Sequence, residues 1–451
     1  MNHFFYLTLR LNGYPIDNAR RTLSEIKYRR QKSYVPGCFN SSLLQDALAI
    51  YKHHGSNPFY RKLLRENGME QLPMVNTYEE WLQIPIIAKS NMQRDLDEII
   101  QGQNKKDLRI HNTSGSTGNP FFFAKDKFCH AMNWAMIDDR LNALNINYGA
   151  DLQGRFYGIP LSRIKYQKER LKDWISGRYR FPVFDLSDQK MEEILQVFRR
   201  KPFVYTNGYA SSLAYFAKFL IRKGLILKDV CPTLRLTITT SEVCDDIDRA
   251  TMEKGFGVPV ANEYGAAELD WLAMHDTEGN WLINNETLLV EIIDDNGAPC
   301  LPGVEGRVIV TSLFNKAMPF IRYDVGDRAV LADGNKGPYQ LMQRVAGRNN
   351  DIIRLPSGKV SMGFTIYYLA KELLEKGEVR VKEFIMVQKA LDTFEVQYSA
   401  DQDLTENDKQ LLRETLEQYL EPGLHCSFLR KEHVGRTHAG KLKYFRSELE
   451  A

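Results

Sequence analysis

His111-Asn112-Thr113-Ser114-Gly115-Ser116-Thr117-Gly118-Asn119-Pro120 is the stretch on which the reading of this chain turns. Its two glycines let the backbone adopt positive φ and bring amide N–H groups up to an anion, and Thr113, Ser114, Ser116 and Thr117 add short hydroxyl donors. Such a loop is suited to holding phosphate. Pro120 stops it, and Phe121-Phe122-Phe123-Ala124 reads as a buried strand. The same composition also makes plain turns, so the loop takes its meaning from the segments downstream in the chain.

A chain of 451 residues exceeds one ordinary core, and two or three domains are expected. Hydrophobic content of 43% and charged content of 26% are globular values. A net charge of +3 argues neither for a nucleic-acid groove nor for an anionic membrane surface, the basic pairs Arg20-Arg21 and Arg29-Arg30 read as solvated surface, and no nucleic-acid partner is expected. No run reaches the roughly 18 apolar residues of a spanning helix, so no membrane insertion is expected. Cys38, Cys129, Cys231, Cys244, Cys300 and Cys426 are scattered, with no C-x-x-C pair, which points to a reducing cytoplasm and away from a disulfide framework or zinc ribbon. Near the N-terminus, Phe4-Phe5-Tyr6-Leu7 is followed by Arg10 and Asn12 without a cleavage signature, so it reads as part of the mature fold.

Periodicity gives the layering. Residues 41–68 read as two helices broken at Asn57-Pro58. Met191, Ile194, Leu195 and Phe198, then Leu213, Phe216, Ala217 and Leu220, recur at helical spacing. Between and after them lie β-prone runs at Phe203–Tyr205, Leu234–Thr240, Leu288–Ile293 and Arg307–Val310, so an α/β fold of layered sheets and helices is expected. A boundary after Arg348 divides residues 1–348 from a small α+β domain at 349–451. The latter has strands at Phe384–Val387 and Phe394–Tyr398 and a helix capped by Thr405, with Leu411, Leu412, Thr415, Leu416 and Tyr419 inward.

Gly435-Arg436-Thr437-His438-Ala439-Gly440-Lys441-Leu442 comes close to the nucleotide-binding pattern G-x-x-x-x-G-K-[ST], but Leu442 stands where the hydroxyl belongs. That pattern must also lead from a strand into a helix of a parallel sheet, and too little chain remains beyond it to build one. Lys441 is left as a glycine-flanked cation. Three further segments accompany it: Asn262-Glu263-Tyr264-Gly265-Ala266-Ala267-Glu268, Arg322-Tyr323-Asp324-Val325-Gly326-Asp327 and Gly347-Arg348-Asn349-Asn350-Asp351. In this order and at these separations, the five segments resemble the core motifs of the adenylate-forming superfamily. Asn57–Leu63, Ile84-Pro85-Ile86-Ile87-Ala88-Lys89 and Met318-Pro319-Phe320-Ile321-Arg322-Tyr323 look like signatures of its phenylacetate-coenzyme A ligase-like branch, which includes members associated with capsular polysaccharide synthesis. The resemblance covers roughly residues 50 to 447, leaving the first forty or so unassigned.

The resemblance implies a site. Thr113, Ser114, Gly115, Ser116, Thr117 and Gly118 would hold the β- and γ-phosphates of ATP. Glu268 would take Mg²⁺, a hard cation that prefers carboxylate and phosphate oxygens. Asn262, Glu263, Tyr264 and Gly265 would border the nucleotide, with Tyr264 against adenine and Ser241, Glu242 and Val243 as the opposite wall. Asp327 would accept from the ribose hydroxyls, with Arg348 as a nearby donor. Lys441 would bridge the substrate carboxylate and the α-phosphate, and Asn350, where the family commonly has aspartate, falls in the hinge. Residues around Trp134, Tyr157 and Asn207-Gly208-Tyr209 would line the acyl pocket. The implied reaction joins a small-molecule carboxylate to a thiol, usually coenzyme A, or to an amine, through an acyl-adenylate. A nucleotide-binding module without turnover is the non-enzymatic alternative, and no zinc is expected.

Overall fold

The computed structural model describes the chain except residues 1–2, 71, 93–95, 101, 113–120, 158–162, 182, 184–187, 243, 349–351, 359, 363–365, 367–368, 370–380, 382, 433, 435–444 and 450–451. Two compact units result: Met1–Val325 with Ala329–Arg344, and Gly326–Arg328 with Val345–Ala451.

In the first unit, a hairpin of β1 (Leu108–Asn112) and β2 (Phe122–Asp126) flanks the 113–120 stretch. The main sheet is built from β3 (Gln153–Phe156), β4 (Arg178–Phe181), β5 (Tyr205–Tyr209), β6 (Leu236–Thr240), β7 (Val260–Ala266), β8 (Asp270–His275), β9 (Trp281–Ile283), β10 (Leu288–Ile293), β11 (Glu305–Ser312), β12 (Tyr323–Lys336) and β13 (Tyr339–Arg348). Its order is β10-β11-β12-β13-β9-β8-β7-β6-β5-β3-β4. From β4 to β7 every pairing is parallel, and from β7 to β9 the pairing is antiparallel.

The parallel half is covered on both faces, as crossover helices require. One face carries the helices Asp188–Arg200 and Ala210–Arg222, whose periodic residues Met191, Ile194, Leu195, Phe198, Leu213, Phe216, Ala217 and Leu220 pack with Phe156, Phe181 and Phe203. Each fully buried phenylalanine contributes about 2 kcal/mol of burial free energy. Gly208 of β5 belongs to this packing, because a β-carbon there would lie 2.5 Å from the Phe156 β-carbon. The β5 strand itself starts later than the apolar run 203–205 suggests and continues through Thr206-Asn207-Gly208-Tyr209. Polar residues are tolerated inside because they find partners, as Thr206 Oγ1 does with Thr237 Oγ1 at 2.9 Å.

The opposite face carries the Lys127–Ala143 helix and the N-terminal helices His3–Leu11 and Ile16–Lys32, which bury Phe5, Leu9, Ile16, Leu23 and Ile26 in the same core as Met132, Met136 and Ile238. The unassigned N-terminal stretch is thus part of the first unit. The solvated reading of its basic pairs is corrected here. Arg20 pairs with Asp138 at 2.8 Å, and Arg30 is 1% exposed. Its guanidinium donates to the Asn285 carbonyl and Ser42 Oγ, both at 2.9 Å, and contacts Asp46 at 2.6 Å. The helix period of Ile16–Lys32 turns Arg30 inward onto the face of Leu23 and Ile26.

Helices Ser41–His54 and Pro58–Glu66 come next, capped by the side chains of Asn40 and Asn57. No helix among the described residues is long and apolar enough to cross a membrane.

The second unit holds a four-stranded sheet of β16 (Glu383–Ala390), β17 (Thr393–Ser399), β18 (His425–Arg430) and β19 (Phe445–Ser447), in the order β18-β17-β16-β19, plus the small hairpin β14 (Ile352–Arg354) and β15 (Val360–Met362). Thr405 opens the Glu406–Tyr419 helix with a reciprocal capping box to Asp408. Leu412 and Leu416 then pack on Phe384, Met386, Phe394 and Val396, with Leu411 and Tyr419 half-buried alongside.

Candidate active site

The Asn262–Glu268 segment sits where the sheet changes character. β7 runs parallel to β6 and antiparallel to β8, so the turn after it opens at the carboxyl edge of the parallel half, where open α/β sheets bind ligands. Gly265 is required by the close approach of that turn, since a β-carbon would lie 2.4 Å from the Asp270 carbonyl oxygen. The turn delivers Glu268, which is 3% exposed. The Tyr323 hydroxyl donates to Glu268 Oε1 at 2.8 Å, and Lys89 Nζ lies 3.7 Å from the same oxygen.

Lys89 and Tyr323 come from two remote segments that pair with each other. Ile87 bridges Tyr323 in parallel, the Ile87 N–H donates to the Arg322 carbonyl at 3.0 Å, and the Asp324 N–H donates to the Ile87 carbonyl at 2.8 Å. Arg322, 1% exposed, locks the junction. It donates to the Leu82 and Ile84 carbonyls, the latter at 2.7 Å, and stands 3.4 Å from Glu291 Oε1. Trp81 Nε1 donates to the other Glu291 oxygen at 3.3 Å. Burial pushes the Glu291 carboxyl up, and the Arg322 charge opposes that shift.

The surroundings of Glu268 fit a magnesium ion that completes its shell from nucleotide phosphates and water. One carboxylate suffices for such an ion, and the contacts from Tyr323 and Lys89 both fall on Oε1 of Glu268. Among the described residues, no group of three or more His, Cys, Asp or Glu forms a cation site alone.

Ser241 follows β6 with φ of +67°, a tight turn for a residue other than glycine. Beside it, Glu242 Oε2 accepts from the Ser211 N–H at 2.8 Å, in the first turn of the Ala210–Arg222 helix, whose N-cap Tyr209 supplies no side-chain cap. A carboxylate at that end is favoured by the helix dipole. Glu242→Ala is therefore expected to cost about 1 kcal/mol of stability, seen as a lower urea midpoint, with Glu242→Gln retaining most of it. An unchanged midpoint in the alanine variant would contradict the capping role.

Asn262 is held from two sides. Thr239 Oγ1 donates to its Oδ1 at 3.1 Å, and its N–H donates to His275 Nδ1 at 3.2 Å. Burial lowers the His275 pKa to about 4, so the neutral ring can accept. Tyr264 is half-buried, with Trp281 edge-on at 6.5 Å between ring centroids.

Glu263, one residue earlier and on the other face of the strand, is 9% exposed. Burial pushes its carboxyl up to about 7, against hydrogen bonds from Thr240, Trp271 and Asn207 and the charge of Arg155.

Of the residues read as lining an acyl pocket, Tyr157, Asn207 and Tyr209 are brought together. The Tyr157 hydroxyl donates to Asn207 Oδ1 at 3.1 Å, and the Tyr157 and Tyr209 rings lie 4.9 Å apart. Trp134 packs between Phe5 and Tyr148, at 4.9 and 5.4 Å.

Asp327 is a buried carboxylate on β12, in the Gly326–Arg328 stretch that groups with the second unit, and Arg348 ends β13. Thr113, Ser114, Gly115, Ser116, Thr117, Gly118, Val243, Asn350 and Lys441 lie outside the described residues.

Sequence reasoning passed over three cations near these residues. Lys89 beside Glu268 carried a signal, a charge closing the apolar run Ile84–Ala88. Lys125, 3% exposed, donates to the Asp270 carboxylate and to the Ala267 carbonyl at 3.4 Å. Arg155 stacks over the Tyr157 ring at 4.2 Å. Neither of the last two is distinguishable in sequence from a surface charge.

Comparison with known proteins bears on the chain as a whole. No protein-family profile matches the chain. It is 22% identical to Protein CapK of Staphylococcus aureus over 313 residues, covering 66% of this chain and 65% of that protein. It is 25% identical to phenylacetate-coenzyme A ligase of Pseudomonas putida over 321 residues, covering 67% and 69%. The chain therefore spans about two thirds of the length of these curated relatives. Among solved structures, 2-hydroxyisobutyryl-CoA ligase in the postadenylation state matches with a TM-score of 0.69 at 16% identity, covering 93% of this chain and 91% of that one. ATP-bound MatB from Rhodopseudomonas palustris matches with a TM-score of 0.53 at 16% identity, over 76% and 67%. These structural likenesses establish the fold.

Proposed function

We propose that the chain is a member of the adenylate-forming superfamily, of its phenylacetate-coenzyme A ligase-like branch, and that it activates a small-molecule carboxylate with ATP and passes the acyl group to coenzyme A. The observation that carries the reading is Glu268, a buried carboxylate at the carboxyl edge of the parallel strands, held by Tyr323 and Lys89 from two paired segments.

In the first half-reaction a carboxylate oxygen attacks the α-phosphorus of ATP, the bond to the bridging oxygen breaks, and pyrophosphate leaves. The 113–118 loop holds the departing phosphates. Glu268 would hold a magnesium ion, which would supply charge to offset that of the leaving pyrophosphate. Tyr264 packs on adenine, opposite Ser241, Glu242 and Val243, with Asn262, Glu263 and Gly265 shaping the strand end beneath. Asp327 and Arg348 engage the ribose. Lys441 neutralises charge between the carboxylate and the α-phosphate. In the second half-reaction the coenzyme A thiolate attacks the acyl carbon and AMP leaves, with the segment around Asn350 as the hinge of the small domain.

Product analysis with the purified protein, ATP, magnesium and a panel of acids, with coenzyme A or amines as acceptors, tests this assignment. Thioester and AMP are expected. Amide would move the assignment to acid–amine ligation, and release of AMP with neither acceptor would contradict acyl transfer.

A further inference from the structure

On the sheet face that carries the Lys127–Ala143 helix, the carboxyl ends of β3, β5, β6 and β7 converge on Arg155, Tyr157, Asn207, Thr240 and Glu263. Register places Arg155 beside Asn207, and Tyr157, just beyond the end of β3, brings its hydroxyl to Asn207 Oδ1 at 3.1 Å. Desolvation is the largest influence on both Arg155 and Tyr157, yet each keeps part of its surface open to solvent. Side chains lodged deep in a domain and still accessible line a recess.

The hydrogen-bonding capacity of this recess is unevenly used. Glu263 already accepts from Thr240, Trp271 and Asn207. Asp173, the other carboxylate acting on Arg155, is committed to Arg180 at 2.9 Å and Arg178 at 3.2 Å. Arg155 stacks on the Tyr157 ring, but its Nε is buried without a hydrogen-bond partner, and no described residue forms an ion pair with its guanidinium. A guanidinium carries five donors in a fixed fork matched to a carboxylate, and leaving a buried one of them unmet is costly.

We propose that Arg155 selects the acid substrate by donating to a second oxygen-bearing group, a carboxylate or a hydroxyl, carried away from the carboxylate that is activated. This rests on the adenylating function and names its substrate class: an oxygenated acid rather than an unsubstituted aryl or alkyl acid. Tyr157 fixes the plane of the guanidinium. The hydrogen bonds of Asn207, Thr240 and Trp271 keep Glu263 from closing on it.

The test compares acids matched in chain length, unsubstituted, hydroxylated and dicarboxylic, in ATP–pyrophosphate exchange by the wild-type protein and by Arg155→Met and Arg155→Lys. The wild type is expected to prefer an oxygenated acid. Arg155→Met should raise the KM for that acid roughly 10- to 100-fold with little change in kcat, and lysine should restore part of the loss. The hydroxylated and dicarboxylic arms distinguish a neutral acceptor from an anion. In thermal unfolding, the preferred acid should raise the midpoint of the wild type and not that of Arg155→Met. A wild-type preference for unsubstituted acids, or discrimination indifferent to Arg155→Met, overturns this inference and leaves adenylation standing. Absence of exchange with every acid, despite ATP binding, overturns both.

Discussion

Lys441→Ala is expected to abolish carboxylate-dependent ATP–pyrophosphate exchange, with a loss of about a thousandfold, while ATP still raises the unfolding temperature. In the pentacoordinate transition state, negative charge gathers on oxygens shared by the carboxylate and the α-phosphate. A lysine at ~4 Å, at an effective dielectric of about 20, interacts with that charge by roughly 4 kcal/mol. Since each 1.36 kcal/mol is a factor of ten, the loss amounts to about three decades of rate. The contribution is absent from ATP binding alone, because the carboxylate has not yet attacked. Unchanged exchange in the variant would remove Lys441 from the mechanism.

The second large effect is structural. Arg322→Met should destabilise the first unit by about 3–5 kcal/mol, because it removes the partner of a buried carboxylate. Glu291 is 3% exposed and would keep only its neutral donors, and the carbonyls of Leu82 and Ile84 would lose theirs. The deficit should depend on pH. A buried carboxyl with a folded pKa above its unfolded value binds protons more readily in the folded state, so the stability it contributes falls as pH rises between those values. Loss of Arg322 raises the folded pKa of Glu291 further. The deficit against the wild type is therefore expected to shrink on acidification and grow toward neutral pH in urea titrations. A pH-independent deficit would show that Glu291 is not the group left uncompensated. Because Arg322 also fixes the pairing of Ile87 with Tyr323, the variant should lose exchange activity through misplacement of Lys89 and Tyr323 around Glu268.

What was legible in the sequence came from local physics. The helices Asp188–Arg200 and Ala210–Arg222 bury the residues their periodicity marks, and Thr405 caps the helix it precedes. β5 was legible only at its start, because β-propensity is blind to Thr206 and Asn207, whose place depends on partners in other strands. Arg30 illustrates the same limit: two adjacent arginines look solvated until Asp46, Ser42 and Asn285 are brought to one of them by folding. The motifs at Ile84–Lys89 and Met318–Tyr323 were recognisable singly, but their pairing is a contact across more than two hundred residues. Arg155 reads as a surface charge in sequence, and only the strand register sets it beside Asn207.

The central claim, that a carboxylate oxygen of the substrate bonds to the α-phosphorus of ATP, is tested most directly by isotope transfer. The acid selected by the exchange screen, labelled with ¹⁸O in its carboxylate, is turned over with ATP and the acceptor, and the AMP is analysed by mass spectrometry. An acyl-adenylate requires one labelled oxygen to leave with AMP. Label appearing in inorganic phosphate would place the attack on the γ-phosphorus, and unlabelled AMP formed alongside product would contradict adenylation.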